Sequence, residues 1–469
     1  MQALILAGGK GTRLSELTRN EIPKPMVKML GKPLLEYAID RLKENGITDI
    51  FISIGYLHEK IEQYFGDGTK FGVSITYLYE NEPLDSGGAL YFLKGKINSD
   101  FVICSADAMF DIDIQRMYDF HKSKNALITL FAHPNLHPYD SDLIVTDEND
   151  CVLDINLKNN VRNFYYKNLV NAGFFIVNPK ALKFFTELKK INLEHDFVYH
   201  YVTQKCVFAY KSSEYIKDVG TVERFNLTLK DIQNNIVSYK NLRYKQKAIF
   251  LDRDGTINVY KGFIKSHQDI ELLPNVINAI KEINNSGYLA IIVSNQPVIA
   301  RGEASKEDVD ECFNKIETLL GEKGAYIDGI YYCPHHPQSG FLGEVKQLKI
   351  NCGCRKPKIG LIKQAQKDFN LDLNSCYIIG DTSVDIETGK NANMKSILVR
   401  TGKIEENITN CDFIANDLLD AVDYIIGGKN ETKNIRNKKR IFWKTYGFII
   451  SRCTNNKSNW VDCKFEREK

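Results

Sequence analysis

The sequence predicts an α/β fold arranged as two domains. Three observations lead there. Short apolar runs of strand type alternate with amphipathic stretches of helical spacing along most of the chain. The pattern restarts near residue 247 after a polar stretch. The 469 residues also exceed what one ordinary core holds.

In order, QALILAG, DIFISIG, SITYLYE and FVICSAD read as strands, and PLLEYAIDRLKENG and DIQRMYDFHKS read as helices. Such alternation predicts layers around a mostly parallel sheet. The polar stretch DIQNNIVSYKNLRYKQ, residues 231–246, reads as a linker. Beyond it KAIFLD, YLAIIVSN, SCYIIGD and SILVRTG read as strands and NVINAIKEINNSG as a helix. The expected division is 1–230, the linker 231–246, 247–428, and a basic tail 429–469.

Hydrophobic content of 43% and charged content of 26% are those of a soluble globular protein. A formal net charge of +3 gives no global case for nucleic acid as a partner. The first apolar run is short and enters a glycine loop, so it is not read as a signal peptide. No apolar stretch approaches the roughly 20 residues of a membrane span. Eleven cysteines without an export signal point to a reduced, cytoplasmic setting, where a Cys/His cluster reads as metal before disulfide. Cys104 and Cys376 lie in apolar runs and read as buried thiols. The tail, KNETKNIRNKKRIFWKTYGFIISR, reads as a solvated end, with contact to an anionic membrane or a partner as the sharper alternative.

In the first domain LAGGKGTRL follows a strand. Gly8, Gly9 and Gly11 would let backbone N–H groups approach phosphates, and Arg13 adds a cation. Taken alone, such a loop is equally a tight strand-to-helix turn. EIPKPM holds Lys24 between prolines that stiffen it. PLDSGGAL offers Gly87 and Gly88 as a backbone surface for a base or sugar. Asp107 ends a strand, at the edge where open α/β sheets bind ligands, and Asp218 precedes a glycine turn.

Together these residues resemble the sugar-1-phosphate nucleotidyltransferases over about residues 1–230. The resemblance implies a Rossmann-like domain in which a sugar 1-phosphate attacks the α-phosphorus of a nucleoside triphosphate and pyrophosphate leaves. It implies Mg²⁺ on Asp107 and Asp218, with charge offset by Arg13 and Lys24. It also implies sugar contacts from Asn171 and Gly173 in NAGFFIV. Two departures stand out: Ala106 where the family usually has Gly, and Leu157-Lys158 where it often has Glu-Lys. Lys158 is kept as a sugar-phosphate contact.

In the second domain KAIFLDRDGTIN ends a strand at Asp252, with Asp254 two residues on. The period of two lets both carboxylates project from one side, one to attack phosphorus and one to trade protons. Ser294 ends the strand IIVSN, CRKP carries Arg355 and Lys356, and Asp381 ends YIIGD with Asp385 following. This set resembles the haloacid dehalogenase-type phosphatases over about residues 247–428. The resemblance implies a Rossmannoid domain, an aspartyl-phosphate on Asp252, and Asp254 as acid then base. It implies Ser294 and Lys356 on the phosphoryl group, and Mg²⁺ on Asp252, Asp381 and the Asp254 carbonyl.

Cys333-x-His335 and Cys352-x-Cys354 supply two pairs of ligands, the donor set of a closed structural zinc site. His336 is a rival for His335. The metal would fold a loop with little apolar content and so fix Arg355 and Lys356.

Within the phosphatases, DRDGTIN, SNQ…IARG and CPHHP…CxCRKP resemble the heptose 1,7-bisphosphate 7-phosphatases, with the histidinol-phosphate phosphatases as relatives. The SNQ…IARG motif implies substrate contacts from Asn295 and Arg301, beside Arg355. Departures are Pro297-Val298 and Thr382. The first domain is similar to heptose 1-phosphate guanylyltransferases in GYLHEKIEQYFGDG and ENEPLDSGGAL. The phosphatase would leave a sugar 1-phosphate, which the transferase would consume. The expectation is a bifunctional enzyme making a GDP-heptose for surface polysaccharide, with small-molecule partners only. The alternatives are another sugar 1-phosphate or base, and a histidinol-phosphate-type phosphatase with a non-catalytic first domain.

Overall fold

The structure is a computed structural model that describes residues 1–9, 14–19, 21–403 and 410–427. Gly11, Arg13 and the expected tail at 429–469 lie outside the described residues.

Two separate sheets bear out the α/β, two-domain expectation. The first is built on the strand Gln2–Leu6, which pairs in parallel with Asp49–Ile54 on one side and Phe101–Ser105 on the other. Ser74–Tyr79 extends the parallel half. Alternation decides the layers: Ala3 and Ile5 enter one apolar core, and Leu4 enters the core on the opposite face. Past Phe101–Ser105 the sheet departs from the mostly parallel expectation. Val170–Val177 runs antiparallel to Phe101–Ser105 and to Ile128–His133, and Leu143–Thr146 with Val152–Asn156 forms a hairpin. A short turn closes only the hairpin, and Val207–Lys211 adds in parallel beside Ile128–His133.

The second sheet is parallel throughout, in the order Gly329–Cys333, Tyr288–Asn295, Lys247–Leu251, Tyr377–Gly380, Lys395–Val399, Phe413–Ala415. Its strands are near-continuous apolar runs because helices cover both faces. Residues 231–246 finish the helix Val222–Gln233 and form the helix Ile236–Tyr239, with Val237, Asn241, Leu242 and Gln246 buried. Among the described residues no helix is long and apolar enough to cross a membrane.

Candidate functional site

The phosphatase-type residues gather at the carboxyl edge of the second sheet. Asp252 leaves the central strand Lys247–Leu251, anchored by its N–H to the Ile379 carbonyl at 2.9 Å. Asp381 leaves the neighbouring strand Tyr377–Gly380. Gly255 turns the chain at φ +81°, and a Cβ there would collide with the Asp381 carboxylate. Lys356 is 5% exposed and bridges Asp252 Oδ1 at 2.7 Å and Asp385 Oδ1 at 2.5 Å. Sequence reading placed Asp385 in the motif after Asp381 but gave it no role. Asp385 caps the helix Ser383–Asn391 by accepting from Thr382, and Gly380 leaves room for its carboxylate.

Ligand oxygens of Asp252, Asp381 and Asp385 lie within 4.8 Å of one another. Burial, with added like charge from Asp385 and Asp381, pushes the Asp252 carboxyl up to about 7 against the pull of Lys356. Burial and Asp385 push Asp381 up to about 6. Burial would lower the Lys356 ammonium, but Asp252 and Asp385 outweigh it and hold it above its ordinary value. Three carboxylates against one ammonium leave an excess of negative charge, which suits a hard divalent cation with oxygen ligands.

Asp254 is held from both oxygens. Asn258 donates to Oδ1 at 3.0 Å, and Arg253 and Gln296 reach Oδ2 at 2.5 and 3.4 Å. Arg253 is fully buried, with its guanidinium 5.4 Å over the Phe313 ring. Only its place between the two aspartates in DRD could have flagged it. Ser294 Oγ accepts from Gln296 at 2.8 Å.

Three expected substrate contacts are engaged within the protein. The Asn295 side chain exchanges hydrogen bonds with the Lys356 backbone at 2.9 and 3.1 Å. Arg355 donates to the His335 carbonyl at 3.2 Å. Arg301 lies between the rings of Phe263 and Phe341 and pairs with Glu303 at 2.6 Å.

The Cys/His loop closes on itself. Sγ atoms of Cys333, Cys352 and Cys354 lie 3.2–3.5 Å apart, and His335 Nδ1 is 3.2 Å from Cys354. These edges are near those of a tetrahedron around an ion bound at about 2.0–2.3 Å. His336 turns away to the Gln338 carbonyl at 3.3 Å. Between residues 334 and 351 no residue is buried, so the loop has no apolar core of its own.

In the first domain the strands Ala108–Asp111 and Tyr215–Asp218 pair antiparallel, with Asp218 opposite Ala108. Val219 N–H donates to the Asp107 carbonyl at 2.9 Å. The ladder thus joins two aspartates far apart in sequence. Lys24 is buried, ion-paired to Asp107 and 3.7 Å from Asp218. Burial would raise the Asp107 carboxyl, yet Lys24 and Ser105 hold it below its ordinary value. Arg224 pairs with Asp218 from the first turn of Val222–Gln233, capped by Thr221. Sequence reading passed over Arg224, although six residues past Asp218 is within reach across a capped turn.

The glycines have packing reasons of their own. A Cβ on Gly8 would lie 2.7 Å from Glu80 Oε1, and one on Gly88 would lie 2.6 Å from Leu84 Cβ. Gly87 abuts Leu193, while Gly9 faces open space. Gly173, at φ +69°, donates to Asn171 Oδ1 at 3.2 Å. Asn171 N–H and Lys158 N–H both reach Asp142, at 3.3 and 2.8 Å. Ala106 is buried in the core beneath the site.

The Nucleotidyl transferase family matches residues 2–235, and the HAD-hydrolase-like family matches residues 353–421. The D-glycero-beta-D-manno-heptose-1,7-bisphosphate 7-phosphatase of Haemophilus ducreyi is 40% identical over 184 residues, 38% of this chain and 98% of the relative. That of Pasteurella multocida is 37% identical over 188 residues, 39% of this chain and 100% of the relative. The crystal structure of HddC from Yersinia pseudotuberculosis complexed with GMP-PN covers 49% of this chain and 99% of its own, at 24% identity and a TM-score of 0.42.

Proposed function

From the premise that this chain belongs to the D-glycero-beta-D-manno-heptose-1,7-bisphosphate 7-phosphatase family through its C-terminal domain, and carries a nucleotidyl transferase domain ahead of it, we propose two consecutive reactions. The phosphatase domain removes the 7-phosphate of D-glycero-D-manno-heptose 1,7-bisphosphate. The transferase domain moves GMP from GTP to the resulting heptose 1-phosphate, giving GDP-heptose and pyrophosphate, for surface polysaccharide. The domains are taken as 1–230 and 247–428, with 231–246 connecting them and 429–469 as a basic tail.

The observation that carries the phosphatase reading is Lys356 bridging Asp252 and Asp385 beside Asp381. Asp252 attacks phosphorus and becomes the aspartyl-phosphate. Asp254 protonates the leaving C7 oxygen and then takes a proton from water. Ser294 and Lys356 hold the phosphoryl oxygens. Mg²⁺ on Asp252, Asp381 and the Asp254 carbonyl would neutralise charge on that group. In the transferase, Lys24 and Arg13 offset phosphate charge while Gly8, Gly9 and Gly11 line the triphosphate. Asp107 and Asp218 would hold Mg²⁺ there. Gly87 and Gly88 back the nucleoside, and Asn171 and Gly173 contact the sugar. Zn²⁺ on Cys333, His335, Cys352 and Cys354 would be structural.

The test is phosphorus NMR on the purified protein with Mg²⁺, each anomer of the heptose 1,7-bisphosphate, and one nucleoside triphosphate per tube. Orthophosphate followed by pyrophosphate and a sugar nucleotide, in the GTP tube alone, is expected. Orthophosphate without pyrophosphate in every tube would overturn the transferase half. Faster release from histidinol phosphate than from either anomer would overturn the heptose assignment.

A further inference from the structure

One helix of the phosphatase domain, Lys306–Gly321, packs against Tyr166 of the transferase domain. Thr318 is 5% exposed, and its hydroxyl accepts from the Tyr166 N–H at 2.9 Å. The carbonyls of Tyr166 and Asn314 lie within donating reach, at 3.2 and 2.8 Å. One residue earlier, buried Glu317 accepts from the Asn168 N–H and faces Lys167. At the helix end Gly321 lies against Pro138, where a Cβ would come within 2.5 Å of the proline ring.

These contacts seat the segment that organises residues 135–142. Asn168, buried, exchanges two hydrogen bonds with the Asn135 backbone, at 2.7 and 3.1 Å. The Asn135 side chain then binds Ser141 and the His137 N–H. Arg162 lies over the Tyr166 ring and donates to the carbonyls of Pro138, Ser141 and Asn156. The loop ends at Asp142, which holds the backbones of Lys158 and Asn171. His137 lies within electrostatic reach of Arg224 and Asp218.

We propose that Thr318, a residue of the phosphatase domain, is a positioning residue for the transferase reaction. It fixes Tyr166 and, through Asn168 and Asn135, the loop that aligns Asn171 and Lys158 for the sugar phosphate. The transferase site is therefore complete only when the phosphatase helix is packed against it. This rests on the sugar-1-phosphate transferase reading above.

The test compares full-length Thr318→Val and Thr318→Ser with the parent in both reactions. Valine keeps the shape but leaves the buried Tyr166 N–H without an acceptor, while serine keeps the hydroxyl. For Thr318→Val the KM for the sugar 1-phosphate rises about tenfold, the KM for GTP and the phosphatase rate stay within about twofold, and Thr318→Ser behaves as the parent. An unchanged sugar KM, or both KM values and the phosphatase moving together, would overturn the proposal. If the parent turns over no sugar 1-phosphate, the transferase reading falls. Amide hydrogen exchange then decides by itself whether Thr318 orders the loop. Faster exchange at Tyr166 and residues 135–142 in Thr318→Val only would sustain it, and unaltered exchange would overturn it.

Discussion

Lys356 touches both the expected nucleophile Asp252 and Asp385, and this double contact sets its sensitivity. Replacing it by Met leaves buried carboxylates without their cation, so the phosphatase kcat should fall by about 10²–10³-fold. The transferase rate should stay unchanged when both are assayed on one preparation. In the other domain Asp218→Asn removes the negative charge that faces both Lys24 and Arg224. It should lower the transferase kcat by at least about 10²-fold and leave orthophosphate release intact. An unaltered transferase rate would remove the role given to Asp218.

At the scale of elements, the loop from Cys333 to Cys354 leads into Lys356 at the site with no buried residue between positions 334 and 351. Under the proposed structural role, a metal on the two Cys/His pairs would supply folding energy that burial there does not. Metal analysis of the purified chain should find about one zinc per chain. Cys352→Ser should lose it, with the phosphatase rate down at least about tenfold and the transferase retained. Full phosphatase activity in a zinc-free variant would refute the structural role. The strand pair Ala108–Asp111 and Tyr215–Asp218 does comparable work without metal, since register alone sets Asp218 beside Asp107.

At the scale of the whole molecule, the described residues up to Val422 form one compact unit that contains buried acids. Burial pushes Glu317 and Glu214 up to about 7. A raised carboxyl keeps its proton in the folded state after the unfolded chain has lost it. Stability therefore falls as pH rises from the ordinary value of about 4.5 to about 7, and then levels. Glu317→Gln removes that loss, on the order of 3 kcal/mol in full. Its Tm should exceed the parent's increasingly between pH 5 and 8 in thermal unfolding, and an unchanged difference across that range would refute the assignment.

Sequence alone determined the two α/β domains, because apolar periodicity is local and its restart at KAIFLD is visible in the chain. It also picked out Asp252, Asp254, Ser294, Lys356 and Asp381, which sit in short motifs at strand ends, and the two Cys/His pairs. Tertiary structure alone set His335 beside the cysteines and turned His336 to the Gln338 carbonyl, since the two differ only in which way the loop turns each ring. It alone brought Asp385 to Lys356, Arg224 to Asp218 and Thr318 to Tyr166. It turned Asn295 and Arg355 toward the protein's own backbone. Those pairings depend on helix packing and strand register across long sequence separations, and no local pattern encodes which distant partner a side chain meets.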